Sequence, residues 1–202
     1  DKDSGGMLTR YLATHPDFKG KAGKIGVIAP GGRKYARVVL AGTGNPAGLS
    51  GQEWEELGGK IYAAVCAAGG VKITLQSDDL KASRKVSGDE AAARLASGFL
   101  LRSYRFDRYK SKKKDKDDVP GRPESLAVAT ATAAGAARAF KPLQGLAEGV
   151  FWARDLMNEP PNVLYPDSFA RRVKAELAPL GVEVTVLDDK KLEKAGFGAH
   201  MA

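Results

Sequence analysis

The sequence contains one cysteine and two histidines among its 202 residues. A single thiol, Cys66, cannot form an internal disulfide, which is typical of proteins from a reducing, cytoplasmic environment. Metal sites need several ligands clustered together, and so few cysteines and histidines do not predict one. No apolar run approaches the ~20 residues that a membrane-spanning helix needs. We therefore expect a cytoplasmic protein that does not bind a membrane.

Apolar and charged residues occur in ordinary proportions. Hydrophobic residues make up 43% of the chain and charged residues 28%, which is typical of a globular protein and too apolar for a disordered one. A chain of this length can hold one large domain, or one domain and part of another.

Basic residues cluster in one stretch of a chain whose net charge is +8. Residues 102–118 contain eight lysines and arginines, interspersed with four aspartates. Mixed charges closed by a Pro-Gly pair are typical of a solvated surface loop. The alternative is a strip that contacts phosphates, with Tyr104, Phe106 and Tyr109 stacking on bases. Because the aspartates dilute the positive field, we expect no specific nucleic-acid binding.

Strand and helix patterns alternate along the first 141 residues, which predicts an α/β layer fold with a largely parallel sheet flanked by helices. Strands are predicted at 24–29, 36–41, 71–75 and 125–131. Helices are predicted at 8–13, at 52–68, after a cap at Asp89, and from Pro142 onward, because proline is tolerated at a first helical position.

The sequence ARDLMNEPPN, at 153–162, predicts the end of a helix and a hinge between two domains. Adjacent prolines end the helix because proline lacks the amide donor and biases its predecessor away from helical angles. The preceding residues carry apolar side chains at the spacing of a packed stripe, namely Leu146, Val150, Ala153 and Met157.

Beyond the prolines the pattern restarts. Phe169, Val173 and Leu177 predict a helix face, and alternation over 182–186 predicts a strand. Asp188 is placed to cap a short helix that ends at Gly196.

No residue is predicted to be catalytic, cofactor-binding or metal-binding. The glycine-rich loop at 42–48 lies between a strand and a helix, but it lacks the Gly-Lys-Ser/Thr ending and the glycine spacing of nucleotide-binding loops, so we interpret it as a connection. His15 and His200 are expected to be exposed. Asp155 and Glu159 lie four apart on a helix, as an acid–base pair could; we interpret Arg154 and Asp155 instead as anchors of the hinge.

Several separated blocks, in order, resemble the leucyl (cytosol) aminopeptidase family. They are spread over nearly the whole chain: FKGKAG at 18–23, RVVLAG at 37–42, LLRSYRFDRYK at 100–110, ARDLMNEPPNVLYP at 153–166, and GVEVTVL and KLEKAG at 181–187 and 191–196.

The resemblance implies a homo-hexameric enzyme that removes amino-terminal, leucine-like residues from peptides. It also implies two divalent metal ions, manganese or zinc, held in the carboxy-terminal domain around an Asn-Thr-Asp-Ala-Glu-Gly-Arg stretch. This sequence contains no such stretch. We therefore expect a piece of a longer protein that binds no metal and is inactive alone.

The domains implied by the resemblance are an amino-terminal, macro-domain-like α/β domain at 1–141, a linker helix at 142–158 and the start of the catalytic domain at 159–202. Two other functions stay open: a stand-alone macro-like module that binds ADP-ribose or a similar phosphate ligand, and a nucleic-acid-binding domain.

Overall fold

The computed structural model describes residues 6–28, 35–77, 86–110 and 122–201. The chain divides into two compact units, unit 1 (residues 1–151) and unit 2 (residues 152–202). In chain order the helices and strands are α1 (Met7–Thr14), β1 (Ile25–Ile28), β2 (Val38–Ala41), α2 (Gly51–Ala67), β3 (Lys72–Gln76), α3 (Gly88–Arg102), β4 (Ser125–Ala129), α4 (Ala133–Asn158), α5 (Pro166–Leu177), α6 (Asp189–Lys194) and α7 (Gly198–Met201).

The described strands of unit 1 form two pairs. β1 and β2 are antiparallel, with Ile25 opposite Ala41, whereas β3 and β4 are parallel, with Lys72 opposite Ser125. The predicted α/β class is confirmed, and β3–β4 has the expected parallel pairing. The β1–β2 pair is antiparallel because the connection between the two strands is short, whereas a parallel pair needs a crossover of a dozen or more residues.

Helices α2 and α3 form the core of unit 1. The predicted helix at 52–68 is confirmed as α2, which begins with a capping box between Ser50 and Glu53. Its buried face packs against α3, and strand residues of both pairs pack against the same cluster. Buried side chains of this kind contribute about 1.5–3 kcal/mol each. The buried residues at the centre include Trp54, Leu57, Ile61, Leu95 and Phe99.

Two glycines allow α2 and α3 to approach closely. A Cβ added at Gly58 would overlap the carbonyl oxygen of Leu95, and one added at Gly98 would overlap that of Glu55. Both obstacles are backbone atoms, which cannot move aside as a flexible side chain can. The helix crossing therefore depends on the absence of a side chain at both positions.

The cap of α3 differs from the prediction. Ser87, not Asp89, occupies the N-cap position, and its hydroxyl accepts a hydrogen bond from the backbone N–H of Glu90 at 3.1 Å. Asp89 lies in the first turn, where it accepts a hydrogen bond from the hydroxyl of Thr132. The prediction was wrong because serine and aspartate both favour the N-cap position. The Asp89 carboxylate instead contacts Thr132, which lies just before α4.

Helix α4 begins at Ala133, upstream of the predicted start, and contains Pro142 in its interior. The alanine-rich sequence before the proline has a high helix propensity, which offsets the hydrogen bond that proline cannot donate. The predicted packed stripe is wrong, since Leu146 is 60% exposed and Met157 is 85% exposed, whereas Ala147 and Leu156 are buried. The boundary between the two units falls within α4, between the predicted boundaries at 141 and 158.

In unit 2 the predicted helices are confirmed as α5 and α6, but residues 182–186 do not form a strand. A strand requires a hydrogen-bonded neighbour, and no described segment of unit 2 provides one. Val182 and Val186 are accordingly exposed. Asp188 caps α6 as predicted, accepting from the backbone N–H of Lys191 at 2.9 Å, and this hydrogen bond lowers the pKa of the Asp188 carboxyl.

Candidate functional site

The segment after α4 is fixed by a buried ion pair. The side chain of Glu159 is fully buried, and its Oε1 accepts a hydrogen bond from Nη1 of Arg172 at 3.1 Å. Arg172 lies on α5 and is partly exposed. A buried carboxylate is expensive to leave without a cation, so this contact ties α5 to the end of α4.

Hydrogen bonds also shape the double-proline turn. The carbonyl oxygen of Pro160 accepts from the backbone N–H groups of Val163 and Leu164, both at 2.9 Å. The hydroxyl of Ser168 accepts from the N–H of Tyr165 at 2.9 Å and lies 3.0 Å from the carbonyl oxygen of Val163, to which it can donate. The helix end predicted from the two prolines is therefore followed by an ordered connection between α4 and α5.

The structure gives Glu159, one of the two carboxylates that lie four residues apart, a structural role. The sequence offered no sign that either carboxylate is buried, yet Glu159 is. A cation, Arg172, lies against Glu159, so the geometry makes Glu159 a structural anchor. Of the predicted anchors, Arg154 is exposed and Asp155 is half-buried.

The glycine-rich loop at 42–48 packs against the loop at 20–24. The N–H of Gly44 donates to the carbonyl oxygen of Gly20 at 2.7 Å, and the N–H of Gly42 donates to that of Lys24 at 2.8 Å. A Cβ at Gly42 would overlap the backbone of residues 20 and 21. These amides already have backbone acceptors, so the glycines serve close packing of two loops and do not form a phosphate cradle.

The basic stretch is described only as far as Lys110, and residues 111–121 lie outside the described part of the chain. Within the described part of this stretch, Asp107 contacts Lys110 Nζ at 2.9 Å and Arg105 Nε at 3.2 Å. The hydrogen bond from Lys110 and the nearby positive charges lower the pKa of Asp107. Phe106 and Tyr109 contact each other, with ring centroids 5.7 Å apart.

The structure describes the side chain of one of the two histidines. His15 is exposed, as predicted, and stacks on Tyr11 with ring centroids 4.0 Å apart. The side chain of His200 lies outside the described residues. Across the described ranges, no three His, Cys, Asp or Glu side chains lie together in a way that could hold a metal ion. In the same ranges, no helix is long and apolar enough to cross a membrane.

Unit 1 contains a cavity of about 610 Å³ that the sequence did not predict. Its walls are one face of α3, one face of β4 and one face of α4. Six alanines leave the space open because their side chains are too short to fill it; they are Ala92, Ala93, Ala96, Ala133, Ala136 and Ala137. The helical spacing of these alanines was the signal in the sequence that could have indicated the cavity.

Aromatic side chains, together with Glu124 and Glu148, complete the cavity wall. Tyr62 and Phe99 meet edge to face, with centroids 5.0 Å apart. Burial raises the pKa of Tyr62, and the neighbouring Cys66 raises it further, whereas Arg122 and Arg105 act in the opposite direction. A volume of this size is typical of small-molecule sites.

Two family models match the chain. Residues 1–113 match the amino-terminal domain of the cytosol aminopeptidase family, and residues 151–202 match its catalytic domain. A "Probable cytosol aminopeptidase" of Rhodopseudomonas palustris (strain ATCC BAA-98 / CGA009) is 42% identical over 191 residues, covering 94% of this chain and 37% of the relative. One of Chelativorans sp. (strain BNC1) is 39% identical over 198 residues, covering 98% and 38%.

Solved structures show the same fold. The bottromycin maturation enzyme BotP in complex with Mn superimposes with a TM-score of 0.68 and 25% identity, over 92% of this chain and 37% of that one. A tomato leucine aminopeptidase mutant gives a TM-score of 0.73 at 23% identity, over 96% and 37%. The chain thus spans about 37% of the length of these proteins and belongs to the cytosol aminopeptidase family, matching its amino-terminal domain and the first part of its catalytic domain.

Proposed function

We propose that this chain is the non-catalytic amino-terminal part of a leucyl aminopeptidase that removes amino-terminal residues from peptides. The observation that carries the proposal is the order of the two family matches, with the amino-terminal model at 1–113 followed by the catalytic model from residue 151. The Glu159–Arg172 pair and the proline turn lie just inside the catalytic match. In this proposal they hold α5, the first helix after α4, in place.

We assign no catalytic step to residues 1–202. The described residues offer no metal-binding group, so they do not fit the two manganese or zinc ions that the proposed enzyme would use. Those ions and the residues that hold them would belong to the remainder of the catalytic domain. We propose further that the whole protein is a cytoplasmic homo-hexamer and that unit 1 has a macro-like fold.

A chimaera tests this proposal. Residues 1–202 would replace the matching segment of the Rhodopseudomonas palustris relative, which aligns with this chain over 191 residues. We expect the purified chimaera to hydrolyse leucine p-nitroanilide with added Mn²⁺, within about tenfold of the relative itself. A folded chimaera without activity would contradict the proposal, and deleting residues 1–151 from it gives the control for a contribution by unit 1.

The two other functions have weaker support. A phosphate ligand needs N–H donors or cations. The amides of Gly42, Gly44 and Gly48 already bond to backbone carbonyls, and the described residues of the cavity wall include no lysine or arginine. Nucleic-acid binding would rest on the stretch at 102–118, of which 111–118 lie outside the described residues. We propose that neither is the main function.

A further inference from the structure

We propose that the cavity of unit 1 binds a small primary amine attached to an apolar or aromatic body. The inference goes beyond the proposed peptidase function and is independent of it, because every lining residue belongs to unit 1. It rests on the shape of the cavity, the charge of its wall and the position of its aromatic rings.

The shape follows from the sequence of α4. Residues that face the cavity recur every three or four positions along the helix, and they change from alanines near its start to Gln144 and Glu148 further on. The same stretch of helix leaves Leu146 exposed. Gln144 and Glu148 are themselves exposed, so this part of α4 forms the rim of the cavity.

Two carboxylates line the cavity, whereas two arginines, Arg105 and Arg122, lie near the lining residue Tyr62. Among the described residues that line the cavity, the charged ones are Glu124, beside β4, and Glu148, on α4. Both are exposed, so they stand where the cavity opens to solvent. Gln144 Nε2 donates to Glu148 Oε1 at 3.0 Å, which orients this carboxylate and leaves its other oxygen for a ligand. Two carboxylates favour an ammonium group and disfavour phosphates or carboxylates.

Aromatic rings supply the remaining recognition. Phe99, Phe140 and Phe151 line the cavity together with Tyr62. Their faces can pack against an apolar body, and a ring face also attracts a nearby cation. An aryl-alkyl amine or a branched alkyl amine combines the two chemical features that this wall complements. The volume of about 610 Å³ exceeds what such a ligand needs, so affinity is expected to be modest.

Calorimetry or NMR titration of the 202-residue chain with phenethylamine tests the inference. For so small a ligand we expect a dissociation constant on the order of 1 mM. Phenylacetate, which keeps the ring and reverses the charge, should bind at least about tenfold more weakly. Equal binding of the two, or no saturable binding of the amine, would overturn the proposal. The second result would fit a cavity that another segment of a longer protein fills.

Variants separate this site from general charge effects. The double substitution E124Q/E148Q should weaken phenethylamine binding by about fivefold or more, as expected for two solvent-exposed ion pairs. The control E176Q/E183Q removes the same charge from exposed positions of unit 2 and should leave binding unchanged. Ala137→Phe should weaken binding by occupying part of the cavity, with the far-UV circular dichroism retained. Equal effects of the two double variants, or displacement of the amine by ADP-ribose, would contradict the proposal.

Discussion

At the scale of single residues, the Glu159–Arg172 pair has the largest expected consequence. The carboxylate is fully buried while the guanidinium is partly exposed. Because solvent screens the cation, the pair contributes less to stability than a fully buried pair would. Loss of the cation nevertheless leaves the buried Glu159 carboxylate with one hydrogen-bond donor fewer. Exposed ion pairs on the same helix, such as Arg171 with Asp167 at 2.8 Å, are worth little by comparison.

We therefore expect Arg172→Met to lower the local stability of α5 by about 2 kcal/mol. Amide hydrogen exchange within residues 166–177 should then become about 30-fold faster. The control Arg171→Met should change exchange by less than about threefold, because its ion pair is exposed. Adding Glu159→Gln to Arg172→Met should recover part of the loss. Similar effects of the two arginine variants would show that the buried pair does not hold α5.

At the scale of elements, the crossing of α2 and α3 sets the core of unit 1. Gly98→Ala places a methyl group against the carbonyl oxygen of Glu55, and such overpacking costs about 1–3 kcal/mol. Urea unfolding followed by Trp54 fluorescence, in a Trp152→Phe background, measures this loss. Gly145→Ala is the matched control, since nothing lies within 4 Å of its added Cβ, and it should stabilise α4 by about 0.5–1 kcal/mol. A neutral Gly98→Ala would contradict the close crossing.

The start of α4 can be tested through its proline. If the helix begins at Ala133, Pro142 lies in its interior, and Pro142→Ala should raise the free energy of unfolding by about 1–3 kcal/mol. If the helix began at Pro142, the same substitution would be neutral or destabilising, because proline suits a first helical position. Pro166→Ala is the control, since Pro166 opens α5, and it should cost under about 1 kcal/mol. Thermal unfolding followed by circular dichroism measures both.

These elements also show how far the sequence could predict the structure. The ends of α2 follow from local signals, because Ser50, Glu53 and the apolar face lie within a few residues of one another. The start of α4 does not, because the alanine-rich sequence favours a helix upstream of Pro142, whereas the proline itself favours a helix that begins there. The predicted strand at 182–186 failed because a strand needs a partner, which local alternation cannot provide.

The candidate sites were harder to predict than the helices. The proline turn after α4 follows from Pro160 and Pro161. The burial of Glu159 does not, because its partner Arg172 lies thirteen residues further along the chain, on another helix. The cavity joins α3, β4 and α4, and its wall becomes visible only when those elements are placed together. Such properties arise from tertiary packing, and local patterns such as the alanine spacing indicate them only in part.

At the scale of the whole molecule, the two units differ in how much they bury. Unit 1 holds the core cluster around α2 and α3, whereas none of the described side chains of α5 and α6 is buried. Phe169, Leu180 and Phe197 are among the large apolar side chains that unit 2 exposes. This division fits the order of the two family matches, an amino-terminal domain followed by the first part of a catalytic domain.

The central claim is that the chain is the non-catalytic part of an aminopeptidase and contains none of its catalytic groups. The most direct test is the hydrolysis of leucine p-nitroanilide by the purified 202-residue chain, with added Mn²⁺ or Zn²⁺ and a blank that contains metal alone. The account predicts a rate equal to the blank with either metal. A rate above the blank that follows the chain through purification would contradict it, because catalytic groups would then lie within residues 1–202.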